Sequence, residues 1–369
     1  METKEDAQGR DVNIFPLTKW KRILAFLADA AILFLCSFAF FHLAYYPIIS
    51  TASSLSSSQE EYVEAMNKRD NVLYGNSLLF YNESSSDKTA ASFSSNLSYT
   101  CDCYVKFLCG KGESKYDVFS NYYSSIKGDQ SGYLTFLKQR DSSTSFFDFS
   151  SSPKLADAYI EEFLPYFQEG NSPTKKGKED YSSFQKEFFL PSYSVMLEDI
   201  KANDLVYEGV SYKEEQSIVE GFKNKVNVVV CSSAGGAYLT SLLLLQVIVP
   251  LISKTRKTLG LIFLKEERVD ANRLIPIKRP KLILTTAYTL FFSSFFVFLL
   301  PWPVISFNEL FTIPALWIIS LISLILDLVS LGFLLFDSLD RTLSDRLTLI
   351  SYIDEESMDA IYRAKGYGE

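Results

Sequence analysis

A single histidine, His42, stands among 369 residues, and that scarcity closes off most Ser/His/Asp, Cys/His and His-ligated metal chemistry. A Gly-rich phosphate loop and a His/Glu metal cluster are also missing, so the sequence predicts neither an enzyme nor a bound cofactor. Basic charge is in deficit: 36 Lys and Arg face 44 Asp and Glu, a net charge of -8, which argues against nucleic acid as a partner because phosphates need a basic face. Five cysteines are too few for a disulfide scaffold, and Cys36 and Cys231 fall in apolar runs where a thiol acts as a small hydrophobe. Cys101-Asp-Cys103 with Cys109 misses zinc spacing, so one structural disulfide with a thiol left over is expected, its pairing open.

What the sequence does have is apolar residues bunched into long runs. A helix needs about 20 mainly apolar residues to cross a hydrocarbon layer of roughly 30 Å. Residues 23–50, 226–253, 281–303 and 311–336 meet that need. The first run is too long for a signal peptide's apolar region and lacks a small-residue cleavage site after it, so it is expected to stay in the chain. Pro301, Pro303, Asn308 and Glu309 separate the last two runs, as a tight hairpin would. Lys19, Lys21 and Arg22 precede the first run, and Lys254, Arg256, Lys257, Lys265, Arg268, Arg273, Lys278, Arg279 and Lys281 follow the second, whereas the break near Pro301 carries no Lys or Arg. Cytoplasmic loops hold the excess of Lys and Arg. The expectation is an all-α polytopic protein of the cell membrane, a four-transmembrane-helix bundle lying in the lipid bilayer. Its N-terminal segment 1–22, basic loop 254–280 and tail 337–369 are cytoplasmic, and 51–225 form a mainly helical extracytoplasmic domain.

In that domain, Leu155, Tyr159, Phe163 and Phe167, and again Phe184, Phe188, Tyr193 and Leu197, recur at helical spacing, with Pro165 and Pro191 as kinks or ends. Residues 82–150 give only short, ambiguous elements. Asn82 and Asn96 match glycosylation acceptors, a short pattern that arises often by chance. His42 falls near the outer end of the first span, and Ser232, Ser233, Gly235 and Gly236 form a small-residue patch suited to close helix packing.

Asp29 comes seven residues after Arg22, about 10 Å along a helix, and Asp327 ten residues before Asp337, about 15 Å along another. Intramembrane acids are costly, face the bundle, and mark ion paths or proton relays. Such a pair would exchange a proton for a cation. The alternative is that each acid is a structural partner, Asp29 reaching Arg22 or a basic side chain of the loop.

The stretch Arg22-Ile-Leu-Ala25-Phe-Leu-Ala-Asp29 resembles the opening of the RDD family of bacterial membrane proteins, named for one arginine and two aspartates. Lys257-Thr258-Leu259-Gly260 followed by Arg268-Val269-Asp270 is similar to the family's basic-loop segment, with Leu261 where the family has Lys. Arg341-Thr342-Leu343-Ser344-Asp345-Arg346 resembles its Gln-Thr-Leu-His-Asp segment, with Ser344 at the His. The resemblance covers roughly 15–50 and 228–354, leaves the middle as an insertion, and makes Asp345, rather than Asp327, the second family aspartate. It implies a membrane protein of largely undefined activity, for which transport is the usual proposal and sodium/proton exchange is suggested for some members.

Two functions follow as expectations. One is a transporter or transporter component for a cation or small solute, using Arg22, Asp29 and either Asp327 or Asp345. Four spans make a thin path, so a homodimer or a partner membrane subunit would enclose it. The other is a membrane-anchored interaction or sensory protein whose large outside domain binds an envelope component or peptide.

Overall fold

The computed structural model describes residues 2–5, 11–14, 19–81, 93–150, 154–168, 171–252, 257–270, 277–292, 294–336 and 341–355. Asn82, Lys254, Arg256, Arg273 and Asp337 lie outside the described residues. The chain is mostly helical and divides into two compact units, one of residues 1–55 with 225–369 and one of residues 56–224.

Among the described residues, three helices are long and apolar enough to cross a membrane: α1, Lys19–Ala52; α2, Tyr212–Ile252; and one at Pro314–Phe336. The last has its polarity inside out. Ile318, Ile322, Ile325 and Leu328 are exposed while Ser320, Ser323 and Ser330 are buried. A water-soluble helix would reverse that, whereas a helix in lipid gains nothing by hiding leucine and gains hydrogen bonds by turning serines inward. In α1 and α2 a wide π-helical turn, at Phe41–Tyr45 and at Leu243–Ile248, lies two residues before a proline, Pro47 and Pro250. Proline lacks the N–H of a regular turn and its ring crowds the carbonyl four residues back, and the wider turn absorbs both without ending the helix.

The third expected span, 281–303, is not one helix. The helix Arg279–Phe292 is 14 residues long, about 21 Å, which falls short of the hydrocarbon layer. Beyond it the backbone is diverted by serine hydroxyls of the last helix. Ser294 N–H donates to Ser323 Oγ at 3.1 Å, Phe298 N–H to Ser320 Oγ at 3.2 Å, and Ser320 Oγ donates to Ser294 O at 3.3 Å. Non-helical backbone is tolerated at such depth where protein groups satisfy it. His42 Nε2 lies 3.0 Å from the Trp302 carbonyl, tying the far end of α1 to the end of this segment.

The small-residue patch of α2 packs as its composition suggests. A Cβ on Gly236 would lie 2.5 Å from the Tyr45 ring, and Tyr45 Oη is 2.5 Å from Thr240 Oγ1. Gly236→Leu is therefore expected to lower the thermal unfolding midpoint in detergent, by an overpacking cost of about 1–3 kcal/mol. Gly235→Ala, with open space beside it, should leave the midpoint unmoved, and equal effects would show that the Tyr45 contact is not what holds the two helices.

The inserted unit is helical around an aromatic core, with Tyr104, Phe119, Phe163, Phe184, Phe188 and Phe189 fully buried. Of the two predicted helical faces, Phe163, Phe184, Phe188 and Tyr193 are helical and buried, but Leu155 lies in a two-residue strand opposite Phe147, and Phe167 in a tighter 3-10 turn beyond the helix. Pro165 ends the helix Asp157–Phe163, but Pro191 ends nothing, because a π-helical turn at Phe184–Phe189 again precedes it and the helix Leu190–Asn203 continues. The expected disulfide is absent: Cys101, Cys103 and Cys109 are free and buried. Cys101 and Cys103 lie two residues apart on the helix Phe93–Leu108, where side chains at that spacing do not face each other. Burial pushes the Cys103 and Cys109 thiols up to about 11. They are apolar filling, not reactive groups.

Candidate functional site

The site lies wholly within the apolar unit and is assembled from α1, α2, a six-residue helix α3 (Leu259–Leu264), strand β1 (Glu266–Asp270), helix α4 (Arg279–Phe292), the last long helix α5 (Pro314–Phe336), a short helix α6 (Leu343–Thr348) and strand β2 (Ile350–Asp354). The strands pair antiparallel, with Arg268 opposite Tyr352, and join the segment after α2 to the segment after α5.

Arg22, in the first turn of α1, donates from Nη2 to Asp345 Oδ2 at 2.6 Å, with both side chains under a tenth exposed. Its guanidinium carbon lies over the Tyr352 ring, 3.5 Å from the centroid. Burial pushes the Tyr352 phenol up, so that ring stays neutral and offers its negative face to the cation. Asp345 is occupied twice over. It is the third residue of α6, whose cap Thr342 donates both Oγ1–H, at 2.6 Å, and N–H, at 3.0 Å, to the same Oδ2, while Asp345 N–H reaches Thr342 Oγ1. This is a reciprocal capping box with an aspartate in the usual Glu position, locked further by an arginine from another helix.

Asp29 is held in a different way. Among the described residues, neither Arg22 nor a basic side chain of the loop forms an ion pair with it, though Arg268 lies within electrostatic reach. Its Oδ2 accepts from Thr258 Oγ1 at 2.6 Å and its Oδ1 from Gly260 N–H at 2.7 Å. The carboxylate caps the first turn of α3 from outside, satisfying the Gly260 N–H, which the helix cannot bond internally. The approach explains the glycine: a Cβ at Gly260 would lie 2.5 Å from the Ala25 carbonyl oxygen and 2.9 Å from the Asp29 carboxyl carbon.

Arg22, Asp29, Arg268, Asp327 and Asp345 all line one cavity of about 260 Å³, together with Gln246, Ser330, Thr342, Tyr352 and an apolar wall. Asp327 and Asp345, rivals for one role in the sequence, thus stand around the same space. Their conditions differ. Asp327 Oδ2 is buried and, among the described residues, no group hydrogen-bonds it; Arg268 Nε is the other buried lining atom in that state. Thr258 is fully buried and joins the site through Asp29 rather than through the cavity wall.

Sequence reasoning missed Tyr352, Gln246 and the acids around Lys257. Lys257, read as a loop charge, is buried between Glu267 at 3.1 Å and Glu355 at 2.9 Å, and Lys281 pairs with Asp270 at 2.5 Å. The β-branched and aromatic residues Ile350, Tyr352 and Ile353 were the signal for a strand, but its partner lies far back in the chain. Gln246 sits in the π-helical turn of α2, a distortion that recurs at functional sites and leaves no mark in composition. Compared with known proteins, the chain matches no family model, no curated protein and no solved structure.

Proposed function

We propose that this chain is a multi-pass cell-membrane protein of RDD type, a transporter or transporter component for a cation or small solute, with both ends in the cytoplasm. The single observation that carries the reading is Asp327, a carboxylate without a hydrogen-bond partner on Oδ2 in the wall of a cavity inside an apolar helical unit. An unpaired acid in that setting costs several kcal/mol to insert and is retained where it binds or moves something. α4 and residues 294–305 together make a third, discontinuous crossing in this reading. Support comes from α4 lying beside α6 at one end and Trp302 meeting His42 at the other. Arg22 and His42 are twenty residues apart on α1, about 30 Å.

The test is a flux measurement on the full chain in liposomes loaded with a pH dye. Pulses of sodium, potassium or tetraethylammonium salts are expected to drive proton movement for at least one cation, and Asp327→Asn to abolish it while eluting as wild type does. A wild type that passes none of the three overturns the reading. The second reading, a membrane-anchored interaction or sensory protein, is favoured by the saturation of Asp29 and Asp345, whose bonds are those of structural fasteners. It predicts that removing them lowers folded yield and alters no flux.

A further inference from the structure

We infer that the cavity's ligand is an organic cation, a quaternary or substituted ammonium ion, and not an alkali metal ion, an inference that rests on the transporter reading above. The first argument is charge. Three carboxylates and two guanidinium groups line the cavity, which leaves one negative charge in excess when all are ionised and calls for a monocation. The second is where that excess sits. Arg22 is spent on Asp345, Asp29 accepts two hydrogen bonds and has Arg268 within electrostatic reach, and Asp327 remains.

The third argument is the number of oxygens. A metal ion that sheds its water needs a ring of replacement oxygens, as the carbonyl rings of potassium filters supply. The other two carboxylates of the lining are already engaged, Asp29 by Thr258 and Gly260 and Asp345 by Arg22 and Thr342. Ser330 Oγ accepts the Leu343 N–H at 3.4 Å, which leaves it one further lone pair, and no group of three or more His, Cys, Asp or Glu among the described residues could hold a metal ion. The fourth is the wall. Phe26, Leu27, Leu261, Leu328, Leu331 and Leu334 enclose much of the space. An alkylated ammonium buries its carbon shell against such a wall and presents its charge to one carboxylate, the mixture of apolar lining and few polar groups typical of small-molecule sites. A hydrated or bare alkali ion gains nothing from leucine.

The test separates the ligand from its transport. Tetraethylammonium is titrated calorimetrically into the purified full chain in detergent, with and without sodium chloride in large excess. Binding is expected in the wild type and undisturbed by sodium. In Asp327→Asn it should be about thirtyfold weaker or lost, the usual cost of removing one partner of a desolvated charge contact. Asp327→Glu should restore part of it. The Asn variant loses an unpaired buried charge, so its unfolding midpoint should hold or rise, and the Glu variant decides the matter if it falls. No binding of tetraethylammonium, binding that Asp327→Asn leaves intact, or displacement by sodium overturns the inference. Sodium flux that depends on Asp327 without tetraethylammonium binding overturns the ligand class and leaves the transporter standing. Tetraethylammonium that binds through Asp327 but crosses no liposome overturns the transporter and leaves the ligand class standing.

Discussion

Arg22→Gln is expected to cost about 3–5 kcal/mol of folded stability, the usual result of breaking a buried ion pair by removing one partner. The loss comes from Asp345. Its side chain is about 5% exposed, and without Arg22 its charge rests on Thr342 alone. Asp345→Asn should be damaging for the converse reason, since it keeps an acceptor for the cap of α6 but takes from the buried guanidinium the carboxylate it is bonded to. The double variant Arg22→Gln/Asp345→Asn should be less damaged than the two single losses summed, with a coupling of about 0.5–3 kcal/mol, as residues in contact show. Thermal aggregation followed by size-exclusion chromatography reads all four proteins. Additive losses would mean that the two side chains do not act on each other, and wild-type behaviour in both singles would remove the pair from the framework.

The second large effect is expected at Gly260. Gly260→Val must push α3 away from α1, because the new Cβ falls 2.5 Å from the Ala25 carbonyl oxygen, a backbone atom that cannot swing aside. Overpacking costs about 1–3 kcal/mol, and retreat of α3 also breaks the bonds from Thr258 and Gly260 to Asp29. A buried acceptor left unmet adds about 1–3 kcal/mol more. Gly332→Val on α5 is the control, since a Cβ there meets nothing within 4 Å. Folded yield from detergent extracts should fall sharply for the first and little for the second. Equal yields would show that α3 does not dock where the Asp29 bonds place it.

Much of this site could be read in the residues before any coordinates. Asp29 and Asp327 stand out because charge in an apolar run is expensive, and Arg22, Thr258, Gly260, Arg268 and Asp345 through short patterns that resemble a known family's. What those patterns withhold is the reason for each residue. Gly260 looks like any loop glycine until Ala25 of another helix is set against it. The third span misled because hydropathy counts side chains, while the backbone near Ser294 is turned by hydroxyls of α5. The middle of the inserted unit looked ambiguous for a related reason. Its helix Phe93–Leu108 buries Asn96, Thr100, Cys101 and Cys103 beside Tyr104 and Val105, so small and polar residues occupy the inward face where periodicity seeks large apolar ones.

The pairing of β1 with β2 sets a timetable for the molecule. Arg22 and Asp345 are 323 residues apart, and at roughly 5–20 residues per second the ribosome needs about 15 to 65 seconds to supply the second after the first. Asp29 obtains its partners earlier, once Gly260 has emerged. Throughout that interval the first helix is made while its arginine lacks Asp345, and Tyr352, the ring over which that arginine rests, follows later still. A chain stopped at residue 349 would contain every apolar helix and still lack the strand that seats Arg22. The charged end of the cavity is therefore completed only after α5 has been made.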